Sequence, residues 1–476
     1  MENFEFENKK KKKLRLGPLC LILCLICLVV GSIGGYFVRA LFFQPALSQQ
    51  SHVYDEIADI MENDFLDTTE SDLTLEERML TGMVGAIGDP HSSYLSTQQA
   101  QDLGTSINGS FQGIGITFIA VDGGALILDV YQNTPAQKAG LLSGDILTHV
   151  QGTSIAGYTS EKIKNIVQGE SNTEVKLRLI RNGKVKEVTA TRGSVETSVA
   201  YEIRSENQHK IGYIRLTTFG DSVASVIEDI LKNMQSQGVD TLVIDLRDNG
   251  GGYLEAAKSL LDLFVPEGEV MFRVQPKKGD EMAYKATNHQ KYTFKNHFLL
   301  VNSGSASASE VMTGALKEIC GFIVVGTTTY GKGTAQTQRV LSENAVLKYT
   351  YAKWLTPNGS WVHGQGIEPD YEIKNKTLDD FHIVSVKDSY QYDQVDEHIA
   401  YMQEMLKELG YAVDRTDGYF SLQTEKALKN FEKTYGLTQD GIYDQNDATL
   451  LLSALSYHIY HEIEDVQYQK IIELLK

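Results

Sequence analysis

Three short segments of this chain hold residue types at spacings that could do chemistry. Residues 301–310 read Val-Asn-Ser-Gly-Ser-Ala-Ser-Ala-Ser-Glu. A strand should end there, small residues should make a tight turn, and a helix should begin. A serine at such a helix start has its hydroxyl beside free backbone N–H groups and the positive end of the helix dipole, which favour a developing oxyanion. The same serines would also serve as plain helix caps. Residues 330–336 read Tyr-Gly-Lys-Gly-Thr-Ala-Gln. Glycines on both sides allow close backbone approach to Lys332. Burial would lower its pKa, because desolvation penalises the charged form, and a neutral lysine can act as a general base. Residues 242–252 read Leu-Val-Ile-Asp-Leu-Arg-Asp-Asn-Gly-Gly-Gly. That is an apolar strand running into a turn that could aim N–H groups at an anion, or simply end a strand.

Competing chemistries lack a part. The run from Gly326 to Lys332 is nearly a phosphate-binding loop, but Gly333 stands where a magnesium-holding Ser or Thr is needed. There are 11 histidines and no Gly-x-Ser-x-Gly elbow, so His363 is left as the alternative base. His461 and Glu462 lack the second histidine of a zinc peptidase motif. We expect no cofactor and no metal. Asp414, Asp417 and Asp440 read as turn residues and supply no paired carboxylates for glycan hydrolysis.

The elements that must position these segments have several textures. The chain has 476 residues, 42% apolar and 22% charged, a composition of several globular domains. Apolar periodicity predicts helices over 51–105, stopped in the middle by Gly88, Asp89 and Pro90, with a polar connection at 104–110. Short strands are predicted at 114–120, 125–131, 146–150, 175–181 and 185–191, with a helix at 159–167 and an Asn182-Gly183 hairpin turn. From 198 to 377 strands at 211–216, 241–246, 299–302 and 322–325 alternate with helices at 224–234 and 306–319, an α/β texture. A small helical unit follows over 394–455. The last stretch, 456–476, reads as an amphipathic helix docked on the body or on a second subunit.

Compartment and partner class follow from charge. Lys9 to Lys13 and Arg15 form a basic cluster over residues 1–15, and no charge occurs over 16–38. At about 1.5 Å per residue that run spans roughly 34 Å, enough for a bilayer core. We therefore expect a single-pass cell-membrane anchor over 16–40, with the amino terminus cytoplasmic and the bulk extracytoplasmic. A cleaved signal peptide is the rival, but no clear small-residue cleavage site follows. Beyond residue 40 there are 37 Lys/Arg against 59 Asp/Glu, which disfavours a nucleic-acid binder. Cys20, Cys24 and Cys27 sit in the apolar run and Cys320 stands alone, so no disulfide framework is available.

Taken together, residues 245–252, 305–310 and 330–336 resemble the C-terminal processing (tail-specific) serine proteases, over roughly residues 55–375. The resemblance implies a multidomain α+β protein with a protease domain over 198–377. It places the nucleophile on Ser307 and the general base on Lys332, with Gln336 helping to orient the lysine. It places the oxyanion hole on the N–H groups of Gly251 and Ala308. Gly250 stands where the family often has proline. Residues 111–193, with Gly113, Ile114, Gly115 and Ile116 followed by Gly140, Gly144 and Asp145, resemble a PDZ domain. That likeness implies capture of a peptide carboxyl terminus on the loop N–H groups of 113–116, with the peptide added as a strand beside 116–119. Gln168 replaces an arginine common in relatives, which puts in doubt how peptide binding is coupled to the protease body. Residues 394–455 resemble a three-helix peptidoglycan-binding domain. The implied function is a membrane-anchored extracytoplasmic serine endopeptidase that selects proteins by exposed or unfolded C-termini, with peptidoglycan as a further partner and a homodimer as its assembly. The alternative is a catalytically silent envelope scaffold that binds tails and peptidoglycan.

Overall fold

The computed structural model describes residues 48–67, 71, 73–196, 198–287 and 292–476. The expected basic segment (1–15) and anchor (16–40), with their three cysteines, lie outside the described residues. No helix among the described residues is long and apolar enough to cross a membrane. The chain divides at residue 87 into two compact units. The first contains helices α1 (Ser48–Asn63) and α2 (Leu75–Gly85). Thr74 caps α2 by accepting from the Glu77 N–H, and Glu77 accepts from the Thr74 N–H at 2.8 Å, a reciprocal box that satisfies two donors at the helix start.

The second unit begins with β1 (Ser93–Leu95) and α3 (Thr97–Ile107). Both correct the expected pattern. A strand interrupts the helical stretch because it pairs with residues 346–348, more than 250 positions away. The connection expected at 104–110 is helical to Ile107, where the Asn108 N–H still donates to the Gly104 carbonyl.

Strands β2 (Ser110–Gly113), β3 (Ile116–Val121) and β4 (Gly124–Val130) follow, then the short helix α4 (Pro135–Lys138), β5 (Ile146–Val150) and β6 (Thr153–Ser154). Helix α5 (Ser160–Val167), β7 (Glu174–Arg181), β8 (Lys184–Thr191) and β9 (Gly193–Glu196) complete this region. The sheet order is β3-β4-β5-β7-β8, so β3 is an edge. Its inner face buries Ala125, Ile127 and Leu147 against Ile163 and Val167 of α5. The antiparallel pair β2–β9 brings the entry and exit of the region together.

The next region has β10 (Val199–Glu206), β11 (His209–Leu216), α6 (Val223–Ser236), β12 (Thr241–Asp245), α7 (Leu254–Leu261), β13 (Val270–Pro276) and β14 (Met282–Lys285). It continues with β15 (Asn296–Val301), α8 (Ala308–Cys320), β16 (Ile323–Gly326), β17 (Thr334–Val340), β18 (Val346–Leu355) and β19 (Tyr371–Glu372). One sheet has the order β10-β11-β12-β15-β16-β19, parallel from β11 onward. Period-two alternation divides its side chains. Leu242, Ile244, Leu299 and Val301 enter the core shared with α6, α7 and α8, whereas Val243, Phe298 and Leu300 face the other way. A second sheet, β1-β18-β13-β14 with β17 beside β18, was not foreseen from the sequence.

The chain ends in α9 (Glu397–Glu408), α10 (Leu422–Tyr435), α11 (Gln445–His461) and α12 (Val466–Leu474). Helix α11 runs past the expected boundary at 455, and only 466–474 form the separate tail helix. That helix lies on the protease sheet of its own chain, where Tyr468, Ile471 and Ile472 cover Val243, Phe298 and Leu300. Helices α9–α11 share a core with Leu126 and Ile146 from the outer face of the β3–β8 sheet. The approach is close. A Cβ on Gly144 would lie 2.9 Å from the Tyr457 nitrogen, and one on Gly183 would lie 1.9 Å from the Tyr435 ring.

Ile471 is fully buried against the sheet. Ile471→Ala is therefore expected to lower stability by ~2–5 kcal/mol, read from urea unfolding. An unchanged midpoint would show that α12 contributes no packing.

Candidate active site

The four serines after β15 are sorted by their partners. The Ser305 hydroxyl donates to the Leu246 carbonyl at 2.7 Å and accepts from the Asn302 N–H. The Ser309 hydroxyl donates to the Asn249 carbonyl at 2.7 Å. Both serines are fully buried and lock the helix start onto the turn after β12. Ser303 is exposed. Ser307 differs from all three. Its backbone sits at φ 57°, ψ −113°, outside the helical and strand regions, and its N–H is held by the Glu310 side chain at the start of α8. Such a conformation costs on the order of 1–3 kcal/mol and persists only where its surroundings enforce it.

Glu310 supplies that enforcement. Its side chain is fully buried, and all four of its recorded partners are donors. One carboxylate oxygen accepts from the Ser307 N–H and the Lys332 N–H, each at 2.8 Å. The other accepts from the Thr329 hydroxyl and the Gly331 N–H, each at 2.7 Å. One side chain thus holds the serine turn and the glycine–lysine loop in register.

Ser307, Lys332, Gln336, Gly251 and Ala308 all line one cavity of 790 Å³. No hydrogen bond joins the Ser307 hydroxyl to the Lys332 amine among the described residues. Burial, and then the positive charge of Lys348, push the Lys332 pKa below the ordinary lysine value, against the opposing pull of Asp89 and Glu310. Gln336 lines the same wall, but its amide donates to the Thr334 and Thr350 hydroxyls, each at 3.1 Å, and makes no bond to Lys332 among the described residues. His363 is exposed, stacks on Trp361 at 5.0 Å between ring centroids, and is not part of the cavity wall.

Several residues near the lysine escaped sequence reasoning. Lys348 lies on β18 and lines the cavity. The sequence reads Asp89 only as part of a helix stop and assigns nothing to His91. The pKa of His91 is pushed down by burial and by Lys332, and Ser92 donates to Asp89 at 2.6 Å while accepting from the Thr350 N–H. The clustering of Asp, His and Ser within 89–92 was the available signal.

The two expected oxyanion donors are differently placed. Ala308 occupies the first position of α8, where a helix leaves its N–H without an internal acceptor. The Gly251 N–H donates to the Asn249 side chain at 2.9 Å. Gly251 has φ 104°, and a Cβ there would lie 3.0 Å from both the Ala308 nitrogen and the Ser307 Cβ. Only glycine lets this turn come so close to the serine.

The loop with Gly113, Ile114, Gly115 and Ile116 lies at the start of edge strand β3. Ile114 is buried, and its carbonyl accepts from Ala136 at 2.7 Å. The Gly115 carbonyl accepts from the N–H of Tyr131, a residue that also lines the cavity. At the far end of α5 the buried Arg192 guanidinium donates to the Val167 and Ile166 carbonyls at 2.8 and 3.1 Å, so the helix beside Gln168 is capped from within the region.

Comparison with known proteins places these features. Residues 210–373 match the model of Peptidase family S41, residues 112–191 that of the PDZ domain, and residues 396–450 that of a putative peptidoglycan binding domain. The chain is 31% identical over 441 residues to the carboxy-terminal processing protease CtpB of Bacillus subtilis (strain 168), covering 90% of this chain and 92% of that one. It is 30% identical over 473 residues to CtpA of the same organism, covering 98% and 99%. Among solved structures, the photosystem II D1 C-terminal processing protease aligns with 67% of this chain and 86% of its own, at 25% identity and TM-score 0.45.

Glu310→Gln turns one acceptor oxygen into a donor facing two donors. Its expected cost is about 3 kcal/mol or more of stability, with faster hydrogen exchange at the Gly331 and Lys332 amides. Unchanged exchange at those amides would refute the tie.

Proposed function

This chain belongs to peptidase family S41 and is a serine-type protease of the carboxy-terminal processing kind with a PDZ domain; from that premise we propose that Ser307 and Lys332 form its catalytic pair. The observation that carries the proposal is their shared cavity, in which burial and Lys348 depress the basicity of Lys332. Neutral Lys332 removes the Ser307 proton as the serine oxygen attacks a peptide carbonyl carbon. The oxyanion that forms is met by the Ala308 N–H and, once Asn249 releases it, the Gly251 N–H. Collapse breaks the C–N bond, and the leaving amine takes the proton from the lysine ammonium. Water, with Lys332 again as base, hydrolyses the acyl-enzyme. Gln336 shares the cavity wall with Lys332 and is held there by Thr334 and Thr350, so its role is that of a positioning residue. The absence of a serine–lysine hydrogen bond among the described residues and the engaged Gly251 N–H support a resting state that a bound tail would convert to a competent one.

The proposal extends to substrate and place. A substrate carboxyl terminus would lodge on the N–H groups of residues 113–116 and lie along β3, an open edge. The uncharged run over 16–38 supports a membrane anchor with the protease outside the cell, and the match at 396–450 supports contact with peptidoglycan. A homodimer completes the reading.

Ser307→Ala and Lys332→Ala are each expected to reduce cleavage of an unfolded reporter with an apolar carboxyl terminus by about 10³-fold or more, with folding retained by circular dichroism. Cleavage surviving in both variants would move the base to another residue. The pH profile gives a second test. Only neutral Lys332 is active, so kcat/KM should rise with pH through its pKa. Lys348→Gln removes a repelling charge, raises that pKa, and should move the rise to higher pH and lower the rate at neutrality. A rise that stays in place or moves to lower pH would show that Lys332 is not the titrating base.

A further inference from the structure

A second cavity, of 170 Å³, opens where the β3–β4 turn meets the carboxyl-terminal helices. Its wall includes Val121, Ile383, Val384, Met405 and Leu452, an aliphatic lining, with Asp122 and His382 also present. Ile383 and Val384 are 37% and 42% exposed, unusual for neighbouring branched aliphatic residues. A volume of this size holds about one benzene-sized apolar group.

The cavity continues the edge of β3. A peptide whose carboxylate is held at residues 113–116 starts at the amino-terminal end of that strand. Its chain then runs back along β3 toward Val121, antiparallel to it, with directly opposed residues sharing a face. The open edge is closed at Ala120, whose N–H donates to the Ser160 hydroxyl at 3.3 Å. A tail must therefore leave the strand edge there, beside the mouth of the cavity. Val121 belongs to the face of the sheet covered by α9–α11. Counting back from the carboxyl terminus at Ile116, the residue opposite Ala120 is the fifth from the end, so the sixth is the first to leave the strand edge, beside Val121 and the mouth of the cavity.

We propose that this cavity, built jointly by the β3–β4 turn and the carboxyl-terminal helices, is a subsite for an apolar side chain at the sixth position from the carboxyl terminus of a polypeptide substrate. The proposal rests on the tail-binding reading of residues 113–116. It gives the carboxyl-terminal unit a direct part in substrate choice, and it makes the protease read more of the tail than the strand edge alone can hold. Continuity with β3 and the aliphatic wall favour an extended polypeptide over a glycan, since Tyr443, the aromatic side chain in the wall apart from His382, is itself buried.

The test uses the full-length chain carrying Ser307→Ala, so that bound peptides survive, and fluorescent peptides read by anisotropy. An eight-residue tail with Leu sixth from the end should bind about tenfold more tightly than the same tail with Asp there. Val384→Asp should abolish that difference, while a peptide of the last four residues binds both proteins equally. If the four-residue peptide and its carboxyl-amidated form bind alike, or neither binds, the tail-binding reading fails and this proposal falls with it. If the four-residue peptide binds through its carboxylate but the Leu and Asp tails bind equally, this proposal alone is overturned. If they bind equally and a soluble muropeptide binds in a way that Val384→Asp removes, the cavity belongs to wall glycan and the proposal is likewise overturned.

Discussion

A carboxylate taken out of water must find donors for its oxygens or give up its charge. Glu310 finds four, and they come from three places: the strained serine turn, the Thr329 hydroxyl and the backbone of the glycine–lysine loop. Two of these donors are the N–H groups of Ser307 and Lys332. The main chains that carry the side chains proposed to react are therefore fixed relative to each other. This explains how Ser307 holds φ 57° at no visible expense to the helix that follows. The strain is local, and the charge-assisted bonds that oppose it lie within one turn of the same helix. It also explains why both glycines beside Lys332 are needed. A Cβ on Gly331 would lie 2.9 Å from the Gly366 nitrogen, and one on Gly333 would meet Trp361 and His363 below 3.0 Å.

The carboxyl-terminal segment is as much a part of the body as the sheets. Each of the two main sheets has a second apolar face that its own helices leave bare. Helices α9–α11 cover Leu126 and Ile146 on one, and α12 covers Val243, Phe298 and Leu300 on the other. Arg247, from the Asp-Leu-Arg turn, reaches outward to Asp465 and Gln467 at 2.9 and 3.1 Å, so α12 is also fastened to the turn that leads to Gly251. A segment that buries parts of two sheets at once restricts their relative motion more than the two-stranded β2–β9 connection could alone.

The parts of this architecture legible in the sequence were those with local causes. Strand 146–150 was read with its observed bounds, and Thr159 ends its helix because its hydroxyl accepts from the Lys162 N–H, a bond spanning three residues. The chemistry-bearing segments were legible because glycine and small residues are rarely spaced so without a backbone reason. What stayed hidden depended on distant partners. Strand β1 exists through β18, and β18, whose ten residues mix Lys, Tyr, Thr and Trp without a clean apolar–polar alternation, belongs to a sheet no local pattern announced. Lys348 lines the cavity from β18, where it pairs with Gln338 of β17. The orientation of Gln336 toward threonines rather than toward Lys332 was equally out of reach, because Thr350 enters from that same strand.

Gln168 raised the question of how the tail-reading region could address the protease without the arginine common there. The structure supplies other links. Asp129, near the end of β4, pairs with Arg215 of β11 at 3.0 Å, and two residues further on Tyr131 forms part of the wall of the cavity that holds Ser307 and Lys332. The Tyr131 N–H is bonded to the Gly115 carbonyl and its hydroxyl to Thr117 at 2.8 Å. Gly115 therefore cannot shift without disturbing a residue of the cleft. A charge–charge contact from an arginine at position 168 would have acted from the helix side of the groove. The contacts present act from the strand side, through the backbone of the loop that would receive the carboxylate. That route needs no mobile side chain to carry it, since the loop leads into β3, β3 pairs antiparallel with β4, and Tyr131 of the cavity wall directly follows β4.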